Sequence, residues 1–222
     1  MSPSLNKHEK IAGFCYLPFY LVLLPFLIAL VSQLLGLNIS PLAANVCYYA
    51  INLLFIIIVY RQHLVRSFRN IRFWDLVQAL ILGFVLYYAG NRLLDLLLSL
   101  LNLHPTSYND EAVNSLVQAN RWIMIICTIV IAPVVEEMLV RGLVFGTIRK
   151  KNRILAYVVS LLLFSLMHVW SYIPTEGLLP VLTTALFYFP GSVALAWTYE
   201  KGRNIWASIF LHAAINALVM FL

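Results

Sequence analysis

Three ionisable residues interrupt an otherwise apolar run that reads Ala132-Pro133-Val134-Val135-Glu136-Glu137-Met138-Leu139-Val140-Arg141-Gly142. On a helix, Glu137 and Arg141 are four residues apart and share a face. With the acid towards the amino terminus, that is the favourable order for an ion pair. Glu136 is rotated by about 100° from its neighbour and has no local partner. An unpaired carboxylate in a low-dielectric site is a candidate for proton transfer. Two further groups occur downstream. One is Phe164-Ser165-Leu166-Met167-His168, and the other is His212-Ala213-Ala214-Ile215-Asn216. His212 and Asn216 are again four apart, so both point the same way from one helix. Two imidazoles, an amide and a spare carboxylate can activate a water and stabilise an oxyanion. Glu136, His168 and His212 are also a donor set for a divalent metal.

Each piece alone has a plain structural explanation. Glu137 with Arg141 is a clamp, His168 an interfacial histidine, and His212 with Asn216 interhelical hydrogen-bond glue. Together, on separate segments, they read as a functional site. The other polar residues within apolar runs carry less weight. Arg92 and Asp95 pair locally near the end of their segment, while Asn45, Asn52, Gln78 and Asn91 are ordinary in-span polar residues.

The surrounding sequence says what positions these groups. Of 222 residues, 62% are hydrophobic and only 11% charged. A soluble chain of this size carries about 25% charged residues, so the solvent here is lipid. The expected fold class is all-α, a polytopic transmembrane helical bundle of about seven spans. They read Ile11–Leu35, Leu42–Tyr60, Phe73–Leu101, Trp122–Ile148, Ile154–Trp170, Leu179–Tyr199 and Ile205–Leu222. The first span starts after Lys7 and Lys10 but is too long for a signal peptide and is expected to be retained. Internal Pro18, Pro25, Pro190 and Gly191 are tolerable in membrane helices. Cys15, Cys47 and Cys127 lie in apolar runs without metal-ligand spacing and read as small buried hydrophobes.

The net charge of +6 would point to nucleic acid in a soluble protein. Here it is distributed by the positive-inside rule, and no nucleic-acid partner is expected. Basic residues cluster at Lys7 and Lys10, at Arg61 to Arg72, at Arg149 to Arg153, and at Lys201 and Arg203. The alternate connections hold Asp110, Glu111 and Glu176, with Arg121 their one clear cation. The amino terminus is therefore placed in the cytoplasm. Residues 1–222 read as a single membrane domain. Within it, 1–120 hold spans one to three with an outer polar loop at Asn102–Asn120, and 121–222 hold spans four to seven. Counted from the basic flanks, Glu136, His168 and His212 lie ~20, ~22 and ~13 Å deep, a spread that tilt or loop geometry has to absorb.

These motifs resemble the CPBP family of intramembrane proteases, which includes type II CAAX prenyl proteases and bacterial Abi proteins linked to bacteriocin self-immunity. The family signature is Glu-Glu-x-x-x-Arg, then Phe-x-x-x-His, then His-x-x-x-Asn. Here these are Glu136-Glu137-x-x-x-Arg141, Phe164-x-x-x-His168 and His212-x-x-x-Asn216, in order on three segments. The likeness covers about Val130 to the end, the expected catalytic core. Val140 departs from it, standing where the family usually has an aromatic residue. The resemblance implies Glu136 as general base on the attacking water, with His168 holding that water. It implies an oxyanion hole from His212 and Asn216, structural support from Glu137 and Arg141, and packing by Phe164 beside the site.

The expected function is therefore an intramembrane endopeptidase acting on membrane-associated protein or peptide substrates within the lipid bilayer. A metal-free glutamate–water mechanism and one assisted by a divalent metal such as Zn, bound through Glu136, His168 and His212, use the same residues, and both stay open. There is no His-Glu-x-x-His, which excludes a soluble zincin helix. The competing readings are a non-catalytic membrane scaffold or bacteriocin-immunity protein, and a small ion-coupled transporter. Against the transporter, no corresponding pair of broken helices marks two inverted halves. The expected location is a prokaryotic cell membrane, crossed several times.

Overall fold

A computed structural model describes residues 4–221. The expected end of the seventh span, Leu222, lies outside the described residues. Among the described residues there is no strand, and nine helical segments follow one another. They are α1 (Lys7–Leu34), α2 (Pro41–Arg69), α3 (Phe73–Leu100), α4 (Tyr108–Ala119), α5 (Arg121–Ile148), α6 (Arg153–Glu176), α7 (Leu178–Ala185), α8 (Tyr188–Gly202) and α9 (Ile205–Phe221). Helices α1, α2, α3, α5 and α6 are long and apolar enough to cross a membrane, and α7 with α8, bent by 41° at their junction, make a sixth if the pair is one span. The seventh apolar segment, α9, has 17 residues, about 26 Å of helix against a hydrocarbon core of about 30 Å.

Several elements differ from the sequence reading: α2 runs on to Arg69, past the expected end of its span at Tyr60, and α6 to Glu176, past Trp170. The expected continuous sixth span is broken at Leu186 and Phe187 into α7 and α8. The expected polar loop at Asn102–Asn120 contains α4. Asp110 and Glu111 occupy its first turn, where carboxylates complement the helix dipole. This segment is tied to the bundle. Thr184 Oγ1 donates to the Thr106 carbonyl at 2.7 Å, and the Tyr108 ring packs on Tyr172 with centroids 5.6 Å apart.

α5 is the central helix. In its most apolar window 56% of residues are buried, against 11% in each of α1, α2 and α3, whose apolar side chains largely face outward. Outward apolar residues are what lipid requires. A core of Ile56, Tyr60, Leu139, Leu143, Ile205 and Ile209 joins α2, α5 and α9. Helix backbones approach closely where side chains are small. A Cβ on Gly83 of α3 would collide with the Thr198 hydroxyl of α8, which fixes how closely those helices pack.

α5 is not a uniform helix. Wide, π-helical turns at Ile126–Ile131 and Met138–Phe145 flank a regular segment, Ala132–Glu137. Pro133 lacks an amide hydrogen and cannot complete the regular ladder, and π-helical turns recur at functional positions. The two acidic residues therefore sit at the junction between a regular segment and a widened one.

The basic end is held together by Glu200. Its carboxylate accepts from Arg149 Nε at 2.6 Å, Arg153 Nη2 at 2.9 Å and the Tyr157 hydroxyl at 2.7 Å. This joins the α5–α6 turn to α8. At the same end, Asn204 Nδ2 donates to the Ser67 carbonyl and Trp206 Nε1 to the Leu64 carbonyl. α9 therefore starts level with Leu64 and Ser67, inside the end of α2.

Candidate active site

The spread in depth counted from the basic flanks closes in the structure. His212 reaches the level of Glu136 although few residues separate it from the basic flank. Glu136 Oε2 lies 3.7 Å from His168 Nε2 and 3.8 Å from His212 Nε2. α5, α6 and α9 thus bring one carboxylate and two imidazoles to a common point.

Hydrogen bonds on the far side of each ring settle which nitrogen faces that point. His168 Nδ1 is 2.7 Å from the Phe164 carbonyl, and His212 Nδ1 is 3.0 Å from Glu137 Oε1. Each oxygen can only accept, so each Nδ1 carries the hydrogen. In the neutral rings both Nε2 atoms are then acceptors. Glu136 Oε2 is an acceptor too, is buried, and has no hydrogen-bond partner. Three acceptors face one another at distances too long for direct hydrogen bonds. A water between them can donate to two of the three, and a cation can meet all three.

Behind this point is a fully buried charge pair. Arg141 Nη1 donates to Glu137 Oε1 at 2.8 Å, with both side chains 0% exposed. Arg141 Nη2 donates to the Ser192 carbonyl and hydroxyl, each at 3.1 Å. The guanidinium carbon lies 4.2 Å from the centre of the Phe164 ring, a cation–π contact strengthened by desolvation. Phe164 also packs against His168 and His212, with centroids at 4.7 and 5.6 Å. Glu137 accepts from Arg141 and His212 through the same oxygen, so the clamp also orients an imidazole.

Asn216 is placed one turn beyond His212. Its Nδ2 donates to the Thr128 carbonyl at 2.8 Å, which ties α9 to a π-helical stretch of α5 and leaves one amide hydrogen for another acceptor. Glu136, Phe164, His168, His212 and Asn216 all line one cavity of 540 Å³. Every site residue picked out by the motifs other than Glu137 and Arg141 borders it, and those two stand directly behind.

Two neighbours carried no sequence signal. Ser192 is 51 residues from Arg141, and nothing in its spacing marks it. Tyr188 stacks on His168 with centroids 4.4 Å apart and planes at 22°, and it stands at the bend between α7 and α8. The only hint was the Pro190-Gly191 pair beside them. Ser192→Val is expected to lower stability by about 1.5–3 kcal/mol, the range for a hydrogen bond to a charged group. Thermal unfolding in detergent reads this. An unchanged midpoint would mean that the Ser192 backbone carbonyl alone satisfies Arg141.

Comparison with known proteins bears on this arrangement. The profile of the family described as "Type II CAAX prenyl endopeptidase Rce1-like" matches residues 118–218, the stretch that supplies all three motifs. The chain is similar to the UPF0177 protein YbdI of Lactococcus lactis subsp. lactis (strain IL1403), 31% identical over 147 residues, 63% of this chain and 73% of that protein. It is also similar to the protein named "Putative membrane peptidase YdiL" of Bacillus subtilis (strain 168), 27% identical over 117 residues, 52% of this chain and 43% of that protein. A third similar protein, UPF0177 protein YvdC of the same Lactococcus strain, is 28% identical over 137 residues, 62% of this chain and 49% of that protein. No solved structure matches. With its motifs in order on α5, α6 and α9, the chain belongs to the Rce1-like family of type II CAAX prenyl endopeptidases, the CPBP proteases of the membrane.

Proposed function

We propose that this protein is an intramembrane endopeptidase that hydrolyses peptide bonds of membrane-associated substrates with a water activated by Glu136. The observation that carries this reading is the convergence of Glu136 Oε2 and two imidazole Nε2 atoms, 3.7 and 3.8 Å apart, on one small space at a cavity wall. A water there gives one hydrogen to Glu136 and is oriented by an imidazole. As its oxygen attacks the scissile carbonyl carbon, the proton passes to Glu136, which returns it to the leaving amine when the carbon–nitrogen bond breaks. The free amide hydrogen of Asn216 is available to the developing oxyanion. His212 spends its Nδ1 hydrogen on Glu137, so in this tautomer its Nε2 is, like that of His168, an acceptor for the water's second hydrogen.

Among the described residues no group of three or more His, Cys, Asp or Glu side chains is already set as a metal site. The donor chemistry nevertheless fits one. Each imidazole is oriented by an oxygen on its outer nitrogen, as in carboxylate–histidine–metal arrangements, and Glu136 Oε2 is unpaired. A divalent cation such as Zn would be held by Glu136, His168 and His212, and when bound would polarise the water as a Lewis acid.

The bacterial origin of the similar proteins supports a prokaryotic cell membrane as its place of work. The test is cleavage of a membrane-tethered peptide by purified wild-type protein and Glu136→Ala, with and without a chelator. Cleavage by wild type alone is the expected result, and chelator sensitivity decides the role of metal. Equal turnover by the variant would remove Glu136 from the reaction.

A further inference from the structure

The basic residues at one end of the bundle do more than flank the helices. Seven of them, with two acids, line a single cavity of 660 Å³. They come from well-separated places in the chain. Lys10 lies in the first turn of α1, Arg72 just before α3, Lys150 in the turn between α5 and α6, and Lys201 in the last turn of α8. The positive-inside rule asks for basic residues in such connections, but not that they converge on one concavity. The two acids are already engaged. Glu200 pairs with Arg149 and Arg153, and Asp75 lies 3.9 Å from Arg72. Among the described residues Lys10, Lys150 and Lys201 have no ion pair. Three ammonium groups therefore share the cavity without a counter-charge, and they repel one another until an anion joins them. The inner wall is formed by Gly142 and Gly146 of α5, which bring backbone rather than side chains to the space, and by the Thr147 side chain.

We propose that this cavity binds the phosphate group of an anionic membrane phospholipid. A phosphate offers several acceptor oxygens. Lysines from three segments and the Thr147 hydroxyl can donate to them, and charge-assisted bonds of this kind are the strong ones. What surrounds the charge favours a lipid over a free ion. Leu5 and Trp197 also line the cavity. Phe73 and Trp74, 65% and 72% exposed, stand beside Arg72 at the start of α3. Tryptophan at the end of a membrane helix marks the level of the head groups, so the cavity lies at the depth of the lipid phosphates. Basic pockets between membrane helices recognise anionic head groups of this kind.

The experiment measures lipid retention by the full-length protein in native mass spectrometry from a neutral detergent, titrated with phosphatidylglycerol, phosphatidylcholine or inorganic phosphate. Binding is read directly, so the result does not depend on whether any peptide is cleaved. Phosphatidylglycerol is expected to bind saturably, at least about tenfold more tightly than phosphatidylcholine, which carries its own cation. Inorganic phosphate should not displace it. Lys10→Gln/Lys150→Gln/Lys201→Gln should weaken phosphatidylglycerol binding by at least about tenfold, since each basic residue near a lipid surface contributes roughly fivefold. Lys7→Gln/Arg69→Gln/Lys151→Gln removes equal charge from exposed positions at the same end but outside the cavity. It should change binding by less than about threefold. Arginine at the three cavity positions should keep the affinity. If the cavity variant does not fold, Lys150→Gln alone, at an exposed turn position, should still weaken binding by roughly fivefold. Equal losses in the two triple glutamine variants would overturn the proposal in favour of general surface attraction. Equal binding of the two lipids, no saturable binding, displacement by inorganic phosphate, or loss of affinity in the arginine variant would each overturn it as well.

Discussion

Glu136→Gln is expected to lower kcat/KM for peptide cleavage by at least about a thousandfold while leaving the protein as stable as wild type, or more so. The amide keeps the shape of the side chain but cannot take a proton from water. A thousandfold loss corresponds to about 4 kcal/mol of transition-state stabilisation, within reach of one general base plus the positioning of its water. The stability half of the prediction has a separate origin. Glu136 is 8% exposed and its Oε2 has no hydrogen-bond partner within the protein, so folding places a carboxylate where no side chain or backbone group offsets its desolvation, which is unfavourable. An amide removes that charge and can donate to the nearest imidazole Nε2. Loss of activity with an unchanged or raised unfolding midpoint marks a residue kept for chemistry at the expense of stability. A lowered midpoint with proportionate loss of activity would make Glu136 structural. If the variant instead keeps the protein's biological effect in cells while cleaving nothing, a binding role replaces the catalytic one.

The site was legible because each motif uses a helical spacing. Glu137 with Arg141, Phe164 with His168, and His212 with Asn216 are all four apart, which places both members of each pair on one face. Membrane crossing was legible because lipid leaves few alternatives to long apolar helices. What the sequence did not show depends on tertiary context. α4 reads as loop because Tyr108 to Ala119 mixes Asn, Asp, Glu and Ser with short apolar residues. Its helix is supported by Thr184 of α7 and Tyr172 of α6, which are distant in sequence. The one local signal was Ser107-x-x-Asp110, a pattern that opens helices. The equal depth of Glu136 and His212 was hidden for a similar reason. Counting residues from the basic flanks assumes a regular rise and a common starting level for every helix, whereas Met138–Phe145 is π-helical and the start of α9 is set by the Asn204 and Trp206 side chains bonding to α2.

Arg141→Met is expected to destabilise the protein by about 3–5 kcal/mol, the cost of breaking a buried ion pair by removing one partner. The side chain is fully buried, and its loss strands Glu137, also 0% exposed, with His212 as the remaining charge-assisted partner. The double variant Glu137→Leu/Arg141→Met should regain at least half of that loss. An apolar pair has no desolvation cost and can pack against Phe164, which now contacts the guanidinium. Activity should not return with stability. Without Glu137 the His212 Nδ1 hydrogen has no carboxylate acceptor, so neither the ring's orientation nor its tautomer is fixed, and Nε2 no longer faces Glu136 reliably. Chemical unfolding in detergent, run beside a cleavage assay on the same preparations, separates the two effects. A single variant within about 1 kcal/mol of wild type would mean that Ser192 and water, rather than Arg141, govern this buried region. A double variant that is both stable and active would release the pair from any part in the chemistry. Stability regained without activity would explain why so costly an arrangement lies under the site. The charges hold an imidazole in one state, a task that an apolar pair of equal volume cannot perform.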